Sequence, residues 1–136
     1  MMTTLASSLL MLASATSAPS DITGLWLTDD SKGLVQIEPC GTHMCGRIVK
    51  VLDTRPDVPK TDSHNPDPKL RNRPLTGLMT LWDFNRSGLV WKDGRAYDPK
   101  SGKSYKSTLA KNPDGSLKVT GCVLFICESR RWTRGG

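Results

Sequence analysis

The sequence has few of the features that mark membrane-spanning, nucleic-acid-binding or catalytic proteins. Among its 136 residues no apolar run reaches the roughly 18 to 20 residues that cross a bilayer as a helix, so no mature transmembrane segment is expected. Only eight residues are aromatic (four Trp, two Tyr and two Phe), and only two are histidines. With 37% hydrophobic and 24% charged residues, the chain suits one soluble domain and is short for most enzyme scaffolds.

The first 18 residues contain no charged side chain. A short apolar stretch at residues 9–13 is followed by small residues, which is typical of a secretory signal peptide. Two A-x-A-like sites place cleavage within residues 15–20. An N-terminal core helix is the alternative, since no Lys or Arg precedes the apolar stretch. The prediction is therefore a signal peptide over 1–18 and one domain over 19–136, in a periplasmic or secreted protein.

Positive charge is in moderate excess, with a formal net charge of +6 that a cleaved leader would leave intact. The basic residues are spread along the chain, apart from modest groups at residues 100–106 and 130–134. They follow no helix-turn-helix, zinc-finger or RNP pattern, so no nucleic-acid partner is expected. A mild attraction to anionic lipid head groups or envelope polymers is the better interpretation of this charge.

Four cysteines form two C-x4-C pairs, Cys40 with Cys45 and Cys122 with Cys127. An even count behind a signal peptide indicates disulfides in an oxidising compartment. Chain entropy favours long-range pairing, at about 4.5 kcal/mol per bridge against about 2 for a local one. Facing residues of a tight hairpin, however, already lie at disulfide distance, which favours the two local bridges. A zinc site that includes His43 is the alternative, but the ligand spacing is poor for it and no metal is expected.

Beyond the leader, short alternating apolar and polar runs recur every 8 to 12 residues between turn formers, which predicts an all-β sandwich or barrel. Residues 98–102 and 112–115 combine Pro and Gly and are expected to form hairpin turns. The candidate strands are 22–28, 33–38, 45–51, 75–83, 88–92, 94–98, 103–110, 116–122 and 128–134.

Residues 53–74 form the one long segment without periodicity, and they hold five of the nine prolines. A loop of this length in a compact domain is usually functional or disordered. Its polar residues Asp62, His64, Asn65 and Asp67 favour a defined loop with Asx turns, and their spacing does not match a calcium-binding loop. His64 with its neighbouring acids is the best candidate for catalysis, but no catalytic residue is predicted, because neither histidine lies on a rigid strand.

Three groups of residues resemble a known family. They are Gly24-x-Trp26, then Asp62-x-x-Asn65-Pro66-Asp67-Pro68 with Arg73-Pro74-Leu75-x-Gly77, and Gly94-x-x-Tyr97-Asp98-Pro99-x-x-Gly102-Lys103-x-Tyr105. Together with the tail from Gly121-Cys122 to Trp132-Thr133-Arg134, they resemble the DUF2147 family of small exported bacterial proteins. The resemblance implies a lipocalin-like antiparallel β-barrel with no assigned activity.

The fold expected is thus a small antiparallel up-and-down β-barrel of the lipocalin or calycin type, with about eight strands. Trp26 and Arg134 are expected to stack and close one end, as first and last strands do in such barrels. A barrel of this size has an interior just wide enough for its own side chains or one small ligand. The residues proposed to face a ligand are Trp26, Trp82, Trp91, Tyr97, Tyr105 and Arg134.

The function expected is an exported, non-enzymatic domain that binds a small apolar or amphiphilic ligand or associates with the cell envelope, without a cofactor. The first alternative is a structural or interaction protein with a filled barrel, and the second is a small hydrolase or isomerase. The four apolar residues 123–126 lie between two cysteines and are expected to fold over the open end as a buried lid rather than to be exposed for a partner or membrane.

Overall fold

Residues 20–136, the part of the chain that this computed structural model describes, form one closed barrel of antiparallel strands. A 3-10 helix, Pro68–Leu70, lies in the long loop. The strands are β1 (Gly24–Leu27), β2 (Gly33–Cys40), β3 (His43–Val51), β4 (Met79–Ser87), β5 (Val90–Asp98), β6 (Lys103–Lys111), β7 (Leu117–Val123) and β8 (Ile126–Arg134).

Each strand pairs with its neighbours in sequence, and β1 also pairs with β8 to close the barrel. Trp26 faces Arg134 across this seam, and Leu27 faces Thr133. The expected eight-stranded up-and-down barrel is therefore confirmed. The expected leader over 1–18 lies outside the described residues, and no helix within 20–136 is long and apolar enough to cross a membrane.

Two strand predictions need correction, and irregular backbone explains both. Segments 88–92 and 94–98 form the single strand β5, in which Asp93 has a φ of 59° and the register shifts between Trp91 and Gly94. The strand expected at 75–83 lies instead at Met79–Ser87. Asp83 has a φ of 65°, which breaks the alternation that marks a strand, so the sequence pattern ends there although the strand continues to Ser87.

The hydrophobic core fills one end of the barrel. Trp26, Phe84 and Leu109 are fully buried there. Gly94 lies under the Phe84 ring, and a Cβ atom at this position would lie only 2.3 Å from the ring. The closely packed cluster at this closed end comprises Ile22, Trp26, Val35, Ile37, Met44, Leu81, Phe84, Leu109, Leu117 and Val119.

The connections alternate between the two ends, as an up-and-down topology requires. The β2–β3, β4–β5 and β6–β7 turns lie at the closed end, and the other four connections surround the opposite, open end. Both predicted local cysteine pairs are at disulfide distance: Cys40 with Cys45 at the closed end, and Cys122 with Cys127 at the open end. Each pair crosslinks the two strands of one hairpin.

Candidate ligand cavity

A cavity of about 990 Å³ occupies the open half of the barrel. The filled barrel of the first alternative is therefore wrong for this half of the interior. Several inward positions of the open half carry small residues, such as Ala96 on β5 and Gly121 on β7, so the walls do not meet. The apolar part of the wall includes Ile48, Tyr105 and Trp132, and its floor is the side of the core cluster formed by Val35, Leu81 and Val119.

Strand β8 contributes two charged side chains to this cavity. Glu128 pairs with Gly121 and Arg130 with Val119, so both face inward together with Trp132. Nη2 of Arg130 lies 3.4 Å from Oε2 of Glu128. Its Nη1 lies 3.9 Å from Oδ2 of Asp29. The cavity therefore combines an apolar wall with a small, partly exposed ionic group formed by two residues of β8 and Asp29 of the β1–β2 turn.

Ion pairs link the loops around the mouth of the cavity. Lys100 of the β5–β6 turn pairs with Asp30 of the β1–β2 turn. Asp53, at the start of the long loop, lies 2.7 Å from Arg55 and 3.9 Å from Lys32. The hydrogen bond from Arg55 lowers the pKa of Asp53 to about 2, so this carboxylate is charged at neutral pH. The mouth thus carries charges of both signs that are already paired.

The long loop is fastened to the outside of the barrel through Asp62, whose exposed fraction is 0%. Its Oδ1 accepts a 2.5 Å hydrogen bond from the Tyr97 hydroxyl on β5. Its Oδ2 accepts bonds of 2.8 Å from both Asn65 and Arg73. Burial raises the pKa of Asp62, but the hydrogen bonds from Tyr97, Asn65 and Arg73 outweigh burial, so the net shift is downward. Burial and the Asp62 carboxylate raise the pKa of Tyr97 to about 12.

The four polar residues singled out in the loop therefore have separate positions. Asp62 and Asn65 are buried in the anchor just described. Asp67 caps the 3-10 helix by accepting a 3.0 Å bond from the Lys69 amide. His64 is exposed and lies on the rim of the cavity. Within residues 20–136 no group of three His, Cys, Asp or Glu side chains is placed to hold a metal ion.

The six residues proposed to face a ligand fall into three places. Tyr105 lines the cavity, and Tyr97 lies at its edge. Trp82 lies on the outer surface, where it lines a second cleft of about 470 Å³ with Met79 and Arg73. The remaining three, at the closed end, are Trp26, Trp91 and Arg134.

Sequence reasoning missed Trp132, Arg130 and Glu128 as residues of the cavity wall. Residues 130–134 look like a basic cluster in one dimension, and only the strand period separates them. Arg130 and Trp132 point inward, whereas Arg131 lies between them and bonds Asp114 on the outside. Because side chains alternate along a strand, the inward orientation of one residue of β8 would have predicted the inward orientation of the others.

The closed end has the stacking expected between the first and last strands. The Arg134 guanidinium lies 4.0 Å from the centre of the Trp26 ring and donates a 2.8 Å hydrogen bond to the Thr23 carbonyl. The Trp26 indole donates to the Ile22 carbonyl at 2.9 Å. Gly24 has a φ of 127°, and a Cβ atom there would lie 2.5 Å from the Arg134 guanidinium. Glycine at position 24 therefore permits both the positive φ and the close approach of the Arg134 guanidinium.

The segment Val123–Ile126, which we call the apolar tip, is exposed, so the expected burial is wrong. The exposed fractions are 54% for Val123, 90% for Leu124, 99% for Phe125 and 75% for Ile126. Val123 pairs with Ile126, which leaves a two-residue turn at the end of the β7–β8 hairpin. The apolar tip therefore lies on the rim of the cavity mouth without covering it.

Comparison with known proteins agrees with this architecture. Protein HP1028 from Helicobacter pylori, described as belonging to the lipocalin family, has a similar structure with a TM-score of 0.74. The two are 25% identical, and the likeness covers 85% of this chain and 84% of HP1028. None of the curated proteins matches the chain. The model of the family DUF2147, described as an uncharacterized protein conserved in bacteria, matches residues 24–134. Since that match spans all eight strands, the chain belongs to the DUF2147 family.

Proposed function

We propose that this protein is an extracytoplasmic, non-enzymatic binding protein that holds a small apolar or amphiphilic molecule in its barrel. The observation that carries the proposal is the cavity of about 990 Å³, which opens at one end and has a largely apolar wall. Ligand sites commonly have volumes of about 300 to 1,000 Å³, with mostly apolar walls and a few placed polar groups. The likeness to a lipocalin-family protein supports the same role.

The polar groups favour an amphiphilic ligand. Trp132 and Val119 form part of the apolar wall, while Arg130 and Glu128 precede Trp132 on β8 and lie nearer the mouth. An acyl chain or ring would contact the former, and a polar head group would exchange hydrogen bonds with the latter. Because Arg130 and Glu128 have opposite charges, a head group with both a donor and an acceptor suits them better than a simple anion.

An extracytoplasmic location is supported by the two local cysteine pairs and by the character of residues 1–18. Disulfides persist in oxidising compartments such as the periplasm. An interaction role is the second candidate, and the exposed apolar tip favours it. A hydrolase role has less support, because the oxygens of Asp62 already accept bonds from Tyr97, Asn65 and Arg73.

The proposal predicts that filling the cavity abolishes ligand binding. In Gly121→Phe the new Cβ atom would lie 3.4 Å from Tyr105, an acceptable contact, and the ring would occupy the cavity. Lys118→Phe places the same side chain on the outer face of the same strand and serves as the control. We expect the native protein and the control to bind a fluorescent fatty-acid probe, and Gly121→Phe to lose at least about tenfold in affinity.

Native mass spectrometry on protein purified gently from its own envelope, followed by organic extraction, would identify the natural ligand. Retention of probe binding by Gly121→Phe would contradict the cavity as the site. Failure of the native protein to bind any probe or to carry any extracted mass would favour the interaction role instead.

A further inference from the structure

The apolar tip conflicts with the ordinary rules for a surface turn. Its two turn residues, Leu124 and Phe125, are the most exposed of the chain's large hydrophobic side chains within residues 20–136. Large apolar side chains gathered on a surface usually mark a site of interaction. The tip therefore calls for an explanation beyond the folding of the barrel.

The backbone of the tip strengthens this argument. Leu124 has a φ of 55°, a conformation for which a two-residue hairpin turn ordinarily uses Gly, Asn or Asp. Leucine at this position costs conformational energy and, being exposed, returns no packing within the chain. Cys122 and Cys127 lie directly behind the turn at a Cα separation of 4.1 Å and restrict its movement. The chain thus holds an unfavourable, exposed leucine in a defined place.

The position of the tip connects it to the cavity. Val123 and Ile126 form the last pair of the β7–β8 ladder, and the tip residues belong to the rim of the mouth. Whatever covers the tip therefore also faces the opening through which a ligand would enter. Leu89, another exposed leucine, lies in the β4–β5 turn at the opposite end.

The size of the tip decides between classes of occupant. A stable protein interface takes roughly 20 to 30 residues from each side, whereas the tip offers four in a narrow projection. A projection of this kind suits insertion between lipid head groups, where each apolar side chain gains from burial without a shaped partner. The acidic and basic residues that line the mouth nearly balance, so the long-range attraction to anionic lipids comes from the formal net charge of +6 of the whole chain.

We propose that the apolar tip inserts into the surface of a lipid bilayer, so that the mouth of the cavity faces the membrane and its ligand enters from the lipid. The docking step stands on the tip and the net charge, and the entry of ligand rests on the proposed function. The apolar compounds that suit the cavity concentrate in membranes, which gives docking at the mouth a direct consequence for loading.

Vesicle co-sedimentation of the full barrel tests the docking step. We expect the native protein to bind vesicles of equal parts phosphatidylcholine and phosphatidylglycerol, and to bind pure phosphatidylcholine more weakly. Leu124→Gly with Phe125→Ser removes the apolar turn while suiting the positive φ, so folding is retained. This double variant should lose at least about tenfold in partition coefficient, because burial of one large apolar side chain is worth about that factor.

Two controls separate docking from ligand binding. Leu89→Ser removes an exposed leucine at the far end and should bind vesicles like the native protein. Gly121→Phe should also bind vesicles while losing the soluble probe, so a failure of the cavity and a failure of docking give different patterns. Absence of vesicle binding, or equal binding by the tip variant, would overturn the proposal. A dimer that dissociates in the tip variant would assign the tip to a second copy and overturn it as well.

Discussion

At the scale of single residues, Asp62 carries the clearest energetic consequence. A buried carboxylate is costly unless every oxygen finds a donor, and Asp62 has three donors, two from the long loop and one from β5. Arg73 supplies the compensating positive charge and lies 5.8 Å from the centre of the Tyr97 ring. Asp62, Asn65 and Arg73 of the long loop thus meet Tyr97 of β5, and these contacts fix the loop to the barrel wall.

The lowered pKa of Asp62 predicts a stability that depends on pH. Since the folded pKa lies below the ordinary value of 3.8, the carboxylate stabilises the fold fully above that value, and the contribution is lost as pH falls through the folded pKa. We expect Asp62→Asn to cost about 2 to 4 kcal/mol at neutral pH, because an amide leaves the buried donors poorly matched. Denaturant unfolding of both proteins across pH should show this difference shrinking in acid. A difference that stays constant below pH 4 would contradict the assignment.

At the scale of elements, Gly102 shows how a turn positions the long loop. It ends the β5–β6 turn with a φ of 72°, and its amide donates a 2.8 Å hydrogen bond to the Asp98 carbonyl. A Cβ atom at Gly102 would overlap the His64 carbonyl. The loop therefore rests on this turn at a point where only glycine fits, beside the Asp62 anchor.

This contact predicts different costs for two similar substitutions. Gly115 has a φ of 85° in the β6–β7 turn, but no atom lies within 4 Å of a Cβ placed there. Gly115→Ala should cost about 1 kcal/mol through the backbone alone. Gly102→Ala should cost roughly 2 kcal/mol more and should speed proteolysis within residues 53–74, because the loop must move. Equal costs and unchanged proteolysis would show that the loop does not depend on this contact.

The bounds of the strands show which parts of the fold can be predicted from sequence patterns. Strands with regular alternation and glycine-containing turns, such as β6 and β7, were predicted within a residue or two of their bounds. The errors at β4 and β5 arise where Asp83 and Asp93 adopt positive φ without the glycine that usually signals it. Local pattern rules cannot register a bulge that the neighbouring strands impose.

At the scale of the whole molecule, local sequence patterns could not predict the volume of the cavity. Its volume depends on which inward positions of distant strands meet, and Ala96 and Gly121 leave space only because β5 and β7 lie on either side of β6. The apolar character of residues 123–126 predicts burial but does not indicate where their turn projects. The closed barrel determines where this turn projects, because the register of β7 with β8 sets how far the hairpin extends.

The seam between β1 and β8 has fewer paired residues than the other strand pairs of the barrel. β1 and β8 share two paired positions, whereas β7 and β8 share seven, so the last closure has the fewest ladder contacts. Three further interactions reinforce it: the stacking of Arg134 on Trp26, the bond from Arg134 to Thr23, and a 2.9 Å bond from the Gly135 amide to Leu25. Two of the three depend on one arginine, which makes it the point at which closure can be tested.

Arg134→Ala should therefore lower the free energy of unfolding by about 0.5 to 2 kcal/mol, the range for a cation over an indole face. Its effect should also be local, so that amides of β1 exchange faster with solvent while those of β6 and β7 keep their protection. Arg131→Ala removes an exposed ion pair with Asp114 from the outer face of the same strand, and should leave the exchange of β1 unchanged. Hydrogen exchange by mass spectrometry measures both variants. Uniform acceleration across all strands in Arg134→Ala would mean that the barrel opens as one cooperative unit, and that the β1–β8 seam is not its weakest line.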